Sequence, residues 1–387
     1  RSSSGCLYGC AENGRMMKTL GLYLHIPFCR RKCNYCDFYS VTDCSYADDY
    51  AEALMQSLRG FAREAREHTV DSVFIGGGTP ILLGADRLHR LLSCIKSEYN
   101  LSDNPEITVE ANPESIAKQD FEILKSVGVN RISLGFQSAT PRMLKVLGRC
   151  HNTNDFVRAV DHARSAGIAQ INADLMYSLP DQSIEDFLKS VDFLTELPLN
   201  HISMYLLKIE PDTPFGKNIK KLSLPDEDTE CQMYLRGIEV LRQRGFEQYE
   251  ISNFSKKGNE SKHNLNCWNQ EEYLGFGIAA HSYFNGERYS NTEDFDKYFE
   301  HPEDSKIIHE KQTQEDKQRE FMLLGLRKIE GVKISDFKNK FIENPIYLYR
   351  ESLSKLVTQG LIEIDIDNIK LTDRGVDLAN LVWEEFV

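Results

Sequence analysis

From residue 20 to about residue 250, short apolar runs alternate with longer amphipathic stretches. The runs at 22–25, 72–75, 107–110, 131–135, 170–174 and 201–206 read as strands. Between them, 50–63, 87–96, 116–126, 155–165 and 184–194 carry apolar residues three and four positions apart, the spacing of a helix with one buried face. Strand–helix alternation of this kind predicts a parallel sheet with helices outside. Six strands are too few to close an eight-stranded barrel, so the expected fold class is α/β, an open, partial (β/α)6 barrel. Its ligands should gather at the carboxyl ends of the strands.

The pattern breaks at 222–228 into a polar, proline-bearing link. A helix at 229–244, a strand at 248–251 and an irregular Gly/Asn/Ser-rich stretch at 253–268 are expected after it. Beyond about residue 305 come charged helices, then a helix at 348–359, Gly360, and apolar runs at 361–366 and 368–371 that read as a hairpin. That order resembles a small winged-helix α+β module. The expected division is a partial barrel over 17–225, a helix plus irregular segment over 226–305, and the terminal module over 306–387. Residues 1–16 read as a disordered extension or a remnant of cloning ahead of a start near Met16 or Met17, with a cleaved transit peptide as the other reading. Cys6 and Cys10 within it read as a mobile thiol pair.

Composition narrows the class. A net charge of −13 over 387 residues offers no basic field for phosphates, so nucleic acid is not an expected partner, even for the terminal module. No apolar run approaches the roughly 18 residues of a membrane span. Ten cysteines spread along so long a chain point to a reducing cytoplasm rather than a disulfide framework.

Three of those cysteines carry the strongest signal. Cys29, Cys33 and Cys36 have the spacing Cys-x3-Cys-x2-Cys, directly after a predicted strand. Three thiolates on one loop can hold three irons of a [4Fe–4S] cube and leave the fourth open for chemistry. The competing reading is structural zinc, which needs a closed tetrahedral set. No second Cys-x2-Cys pair exists, although a distant ligand such as Cys44 would complete one. Polar or glycine residues then end the successive strands. The triplet in FIGGGTP bares backbone N–H groups, Glu110 follows in TVEANPE, Gln137 closes ISLGFQS with Arg149 twelve residues on, and Asp174 sits in INADLMYSLPDQ. One such residue per strand is what a convergent pocket requires.

The cysteine spacing resembles the radical S-adenosylmethionine (SAM) superfamily, in which the open iron chelates SAM and an electron splits it to a 5′-deoxyadenosyl radical. The runs YLHIPFC, GGGTP, VEANPE, RISLGFQS, DLMYSLPDQ and HISMYLLKIEPDTPF resemble the oxygen-independent coproporphyrinogen III oxidase-like group over residues 20–385. By that resemblance, Tyr23, Gly77, Gly78, Thr79, Glu110, Gln137, Arg149 and Asp174 match SAM-contacting positions. Within the group the chain is most similar to the heme chaperones of the HemW type. Cys36 is followed by Asp37 and Phe38 rather than by Cys-x-Cys, and KHNLNCW resembles the chaperone heme signature at His263, Asn264 and Trp268. Cys267 stands where that signature has Tyr. It could strengthen heme binding, replace His263 as ligand, or fill the tyrosine's space. His281 is a secondary imidazole.

The resemblance implies a heme chaperone carrying a [4Fe–4S] cluster and SAM, binding heme and delivering it to a heme-accepting protein, such as a respiratory one. It implies an electron donor of the flavodoxin or ferredoxin kind and leaves a homodimer open. Coproporphyrinogen oxidase activity, the alternative, is not expected.

Overall fold

The protein is described by a computed structural model covering residues 17–387; the expected extension over 1–16, with Cys6 and Cys10, lies outside the described residues. In chain order come β1 (Lys18–Ile26), α1 (Ala47–Ala62), β2 (His68–Gly77), α2 (Ala85–Glu98), β3 (Leu101–Ala111), α3 (Lys118–Ser126), β4 (Arg131–Gln137), α4 (Pro141–Leu147), α5 (Thr153–Ser165), β5 (Gln170–Tyr177), α6 (Ile184–Thr195) and β6 (His201–Leu206). The six strands lie side by side in that order, all parallel. β4 is buried at every position, as befits a strand covered on both faces. Capping boxes, Asn152 with Asp155 and Ser183 with Asp186, fix where α5 and α6 begin.

Alternate strand positions serve two environments. Val73, Ile75, Ile107, Val109, Ile132, Leu134, Ile171 and Ile202 join the core under the helices, with Leu54, Leu88, Phe121, Phe156 and Phe187. Their neighbours Ser72, Glu106, Thr108, Arg131, Ser133, Asn172, His201 and Ser203 are buried yet polar, and they line the barrel lumen. Each such group needs a partner there. The lumen is therefore a hydrogen-bonded interior rather than an oily one.

The sheet does not stop at β6. After α7 (Pro214–Lys217) and α8 (Glu227–Gln243) come β7 (Glu247–Glu250) and β8 (Asn253–Ser255); β8 pairs antiparallel with β6, and β7 antiparallel with β8 at the sheet's edge. The chain then forms α9 (Lys262–Trp268) and crosses to the opposite edge, where β9 (Glu272–Phe276) pairs parallel with β1. Strands β10 (His281–Phe284), β11 (Glu287–Asn291) and, after α10 (Phe295–Glu300), β12 (Lys306–Lys311) continue that edge antiparallel. Because β9 and β8 occupy the free edges of β1 and β6, the barrel stays open. Residues expected to form a separate irregular segment thus extend the main sheet. Met233, Leu241, Phe254, Phe276 and Tyr298 belong to the main core.

The terminal module has its own core, including Met322, Phe337, Phe341, Leu356, Ile369 and Val382. It comprises α11 (Gln314–Gly325), β13 (Val332–Lys333), α12 (Ile334–Phe341), α13 (Pro345–Leu348), α14 (Arg350–Thr358), β14 (Ile362–Ile364), β15 (Asn368–Leu371), α15 (Asp373–Asp377) and α16 (Ala379–Trp383), with strands in the order β13-β15-β14. The expected hairpin is β14–β15. The single helix expected at 348–359 is two, separated at Tyr349.

Candidate functional site

The loop after β1 is pinned on both sides. The Cys29 N–H donates to Val41 O at 2.9 Å, the Val41 N–H to Pro27 O at 2.7 Å, and the Arg31 guanidinium to Gly148 O at 2.8 Å. Cys29, Cys33 and Cys36, half-buried and free of disulfides, line a cavity of about 520 Å³. Gly77, Gly78, Glu110, Gln137, Arg149 and Asp174 line the same cavity. Tyr23 and Thr79 stand behind its wall. The Tyr23 hydroxyl is 3.0 Å from His25 Nδ1, and Thr79 Oγ1 accepts from Asn112 Nδ2 at 2.8 Å while lying 3.8 Å from Cys29 Sγ.

Backbone chemistry explains the glycines. Gly77 has φ of 110°, and a Cβ on it would lie 2.5 Å from the His25 ring. A Cβ on Gly78 would meet Phe28 O at 2.7 Å and Cys29 Sγ at 3.0 Å, so any side chain there would push the cysteine loop away. Gln137 ends β4 in the left-handed region, φ 65°, a conformation that costs of order 1 kcal/mol and turns its side chain into the pocket.

Burial, then the nearby Asp174 carboxylate, pushes Glu110 up to about 8, against the pull of the Gly77 N–H at 3.1 Å. Burial also raises Asp174 to about 6, although Asn172 Nδ2 donates to it at 2.8 Å and Ser133 Oγ at 3.2 Å. The Arg149 guanidinium donates to Asn112 Oδ1 at 2.6 Å and Gly135 O at 3.0 Å, with Nη1 3.7 Å from Cys33 Sγ. Its buried Nε has no partner among the described residues. Burial lifts the Cys36 thiol to about 11, so metal loading here expels protons. Among the described residues no three His, Cys, Asp or Glu side chains converge closely enough to hold one ion, and Cys44 is exposed. That donor set suits a multi-iron cluster, whose ligands sit on separate irons, better than zinc.

The heme-signature residues lie at the other end of the same lumen. Glu106, near the start of the core of β3, accepts from Ser261 Oγ at 3.2 Å, Lys262 N at 3.1 Å and His263 N at 3.1 Å, holding the first turn of α9 across the amino ends of the strands. His263 is 8% exposed. Its Nδ1 is 3.2 Å from Ser72 Oγ, its ring stacks on Phe74 at 5.2 Å, and burial lowers it to about 4, leaving it neutral. The Asn264 N–H donates to the Ser261 cap. Cys267 is half-buried, its thiol raised to about 11 by burial. The Arg327 guanidinium lies over the Trp268 ring at 4.4 Å and over the Trp383 ring at 5.2 Å. His281 is elsewhere, on β10, stacked on His309 at 5.7 Å.

Comparison with known proteins decides what this arrangement belongs to. Residues 23–194 match the radical SAM superfamily and residues 312–378 the HemN C-terminal domain. Heme chaperone HemW of Lactococcus lactis is 37% identical over 96% of this chain and 98% of its own length. The Bacillus subtilis protein of that name is 36% identical over 94% and 98%. The chain belongs to the heme chaperone HemW family of radical SAM proteins. Superfamily membership implies a [4Fe–4S] cluster and SAM. A solved structure of coproporphyrinogen III oxidase from Escherichia coli superposes with a TM-score of 0.84 over 96% of this chain and 90% of that one, at 23% identity, which establishes a shared fold. No helix among the described residues is long and apolar enough to cross a membrane.

Sequence reasoning found the cavity's ionisable residues on the strand ends but missed Asn112, Ser133 and Tyr205, which also line it. Ser133 had a usable signal, since it lies two and four residues before Gly135 and Gln137 on one face of β4. Asn112 lies two residues after Glu110.

Proposed function

We propose that this protein binds heme and delivers it to acceptor heme proteins, while keeping a radical SAM site at the opposite end of one barrel. The full-length likeness to proteins named heme chaperones, 37% over 96% of the chain, carries this reading. Cys29, Cys33 and Cys36 would hold three irons of the cluster. When bound, the cluster supplies SAM with an iron free of protein ligands and with an electron. Gly77 and Gly78 keep the approach to it bare. The Arg149 cation offsets thiolate charge at Cys33. Glu110, Gln137 and Asp174 present acceptors and an amide to the ligand, and Tyr23 and Thr79 brace His25 and Cys29.

His263 is the proposed heme ligand, since a neutral imidazole coordinates iron well. In its present seat the ring is stacked and hydrogen-bonded, so coordination requires α9 to turn outward. Cys267 fills space in this proposal: a thiol titrating near 11 is protonated at neutral pH and a poor competitor. The proposed setting is the cytoplasm, with a flavodoxin or ferredoxin as electron donor and a respiratory heme protein as acceptor.

Hemin titrated into the purified protein should give a shifted Soret band that is lost in His263→Ala and kept in Cys267→Ser. The reverse pattern would overturn the ligand assignment. With SAM, reductant and coproporphyrinogen III, no vinyl product should form; turnover would favour the oxidase reading.

A further inference from the structure

The two ends of the lumen are joined by one run of hydrogen bonds. It starts at Asp174, in the wall of the cluster cavity. Asn172 Nδ2 donates to Asp174 Oδ1 at 2.8 Å, and His201 Nδ1 lies 2.7 Å from Asn172 Oδ1. His201 Nε2 lies 2.8 Å from the Tyr249 hydroxyl, which accepts from the Ser261 N–H at 3.3 Å. Ser261 caps α9 and is two residues from His263. Asn172 is 4% exposed, His201 1% and Ser261 0%, while the bridging Tyr249 is half-buried.

The bonds share one direction. With His201 as its Nδ1–H tautomer, the assignment that satisfies both neighbours, Ser261 N–H donates to Tyr249, Tyr249 O–H to His201, His201 N–H to Asn172, and Asn172 N–H to the carboxylate. Hydrogen bonds aligned head to tail polarise one another, and an anion at the accepting end strengthens all of them. A ligand that donates hydrogen bonds to Asp174 draws on the same lone pairs and slackens the run at its far end, where it helps to hold Ser261.

We infer that Asn172, His201 and Tyr249 are positioning residues that couple occupancy of the SAM cavity at Asp174 to the seat of α9, and so to the exposure of His263 for heme. This rests on the heme and SAM reading above and adds a link between its two halves. Filling the cavity loosens α9, so SAM tightens heme binding. By thermodynamic reciprocity, heme tightens SAM binding by the same factor.

The test uses full-length protein with its cluster reconstituted, under anaerobic conditions without reductant, so that SAM is bound and not cleaved. Hemin affinity is read from the Soret band with and without saturating SAM. Wild type should bind hemin roughly five- to tenfold more tightly with SAM, at the lower end of typical couplings. Tyr249→Phe, which removes only the bridging hydroxyl, should bring that ratio to within about twofold of one. It should do so by raising hemin affinity without SAM, since α9 is then held less firmly. His201→Gln cuts the run one link closer to Asp174 and should do the same. Unimpaired cluster absorption and SAM binding identify folded variants. A wild-type ratio of one, with both ligands bound, overturns the coupling alone. An unchanged ratio in both variants overturns the route. Failure of wild type to bind hemin at all overturns the heme reading and the coupling with it.

Discussion

The two ends of the lumen are built from the same six strands and the same alternation, yet they solve opposite problems. At the carboxyl end, glycines strip the backbone bare, Glu110 titrates near 8, and Arg149 Nε is unpartnered among the described residues. At the amino end Glu106 accepts three hydrogen bonds, one from the Ser261 hydroxyl and two from backbone N–H groups, and faces Arg131 at 4.0 Å. Buried polar groups left short of partners are costly, and a ligand that completes them recovers the cost. A fully satisfied cluster must instead be undone before it can bind anything. One end is prepared for its ligand and the other is closed over its own.

Several substitutions would break or sharpen that contrast. The largest effect is expected at the open end. Replacing Cys33 by Ala should abolish the visible absorption of the reconstituted cluster while hemin binding survives; joint loss of both would deny that the ends are separate sites. Next, Glu106→Ala at the closed end leaves Arg131 buried beside no anion and three donors without an acceptor. Such a broken buried pair costs about 3–5 kcal/mol, measurable by urea unfolding.

The ends should also respond to pH with opposite sign in cluster-free protein. The Glu110 carboxyl is raised in the folded state from 4.5 to about 8, so its stabilising contribution is whole below 4.5 and is lost as pH rises through 8. Glu110→Gln should therefore match wild type near pH 4.5 and exceed its stability above pH 8, by about 1–2 kcal/mol once the open cavity's screening is allowed for. His263 is lowered from 6.5 to about 4, so its contribution is whole above 6.5 and is lost as pH falls through 4. The protection factors of the α9 amides, exchange rates corrected for the intrinsic pH dependence, should fall over that acid window and not above it. The smallest effect is at Cys267: Cys267→Ser should change stability by under about 1 kcal/mol.

The six parallel strands and their helices were legible because each combines a clear period with a turn at its end. Strands β9 to β12 were not. HSYF and ERYSN are only four and five residues long, and EYLGF sits inside a stretch whose chemistry drew attention away from its geometry. The helix α9, KHNLNCW, has two asparagines and no strong helix former but Leu265 and Lys262, so propensity argues against it. It exists because Ser261 caps it, Glu106 holds its first turn and the terminal module grips its far end. Lys328 Nζ donates to Asn269 Oδ1 at 2.6 Å and Lys340 Nζ to Gln270 O at 2.9 Å. Cavity residues were legible wherever a strand ended in a polar side chain. That His263 would face the lumen from the far side was not, because a motif names residues and not the end of the barrel they reach. Tyr249 lies in none of the runs that carry the resemblance, and although His201 opens one of them, 48 residues separate the two and nothing in the sequence pairs them.

The guanidinium of Arg327, lying over Trp268 of α9 and over Trp383 of the terminal module, has a practical corollary. These are the only two indoles in the chain. Ultraviolet emission excited at the tryptophan edge therefore reports on a single joint, with no background from the rest of the molecule. A helix that swings away would carry its indole off the cation and leave the second behind, splitting a shared fluorophore environment into two. The molecule thus carries its own optical gauge of the outward turn of α9 proposed above.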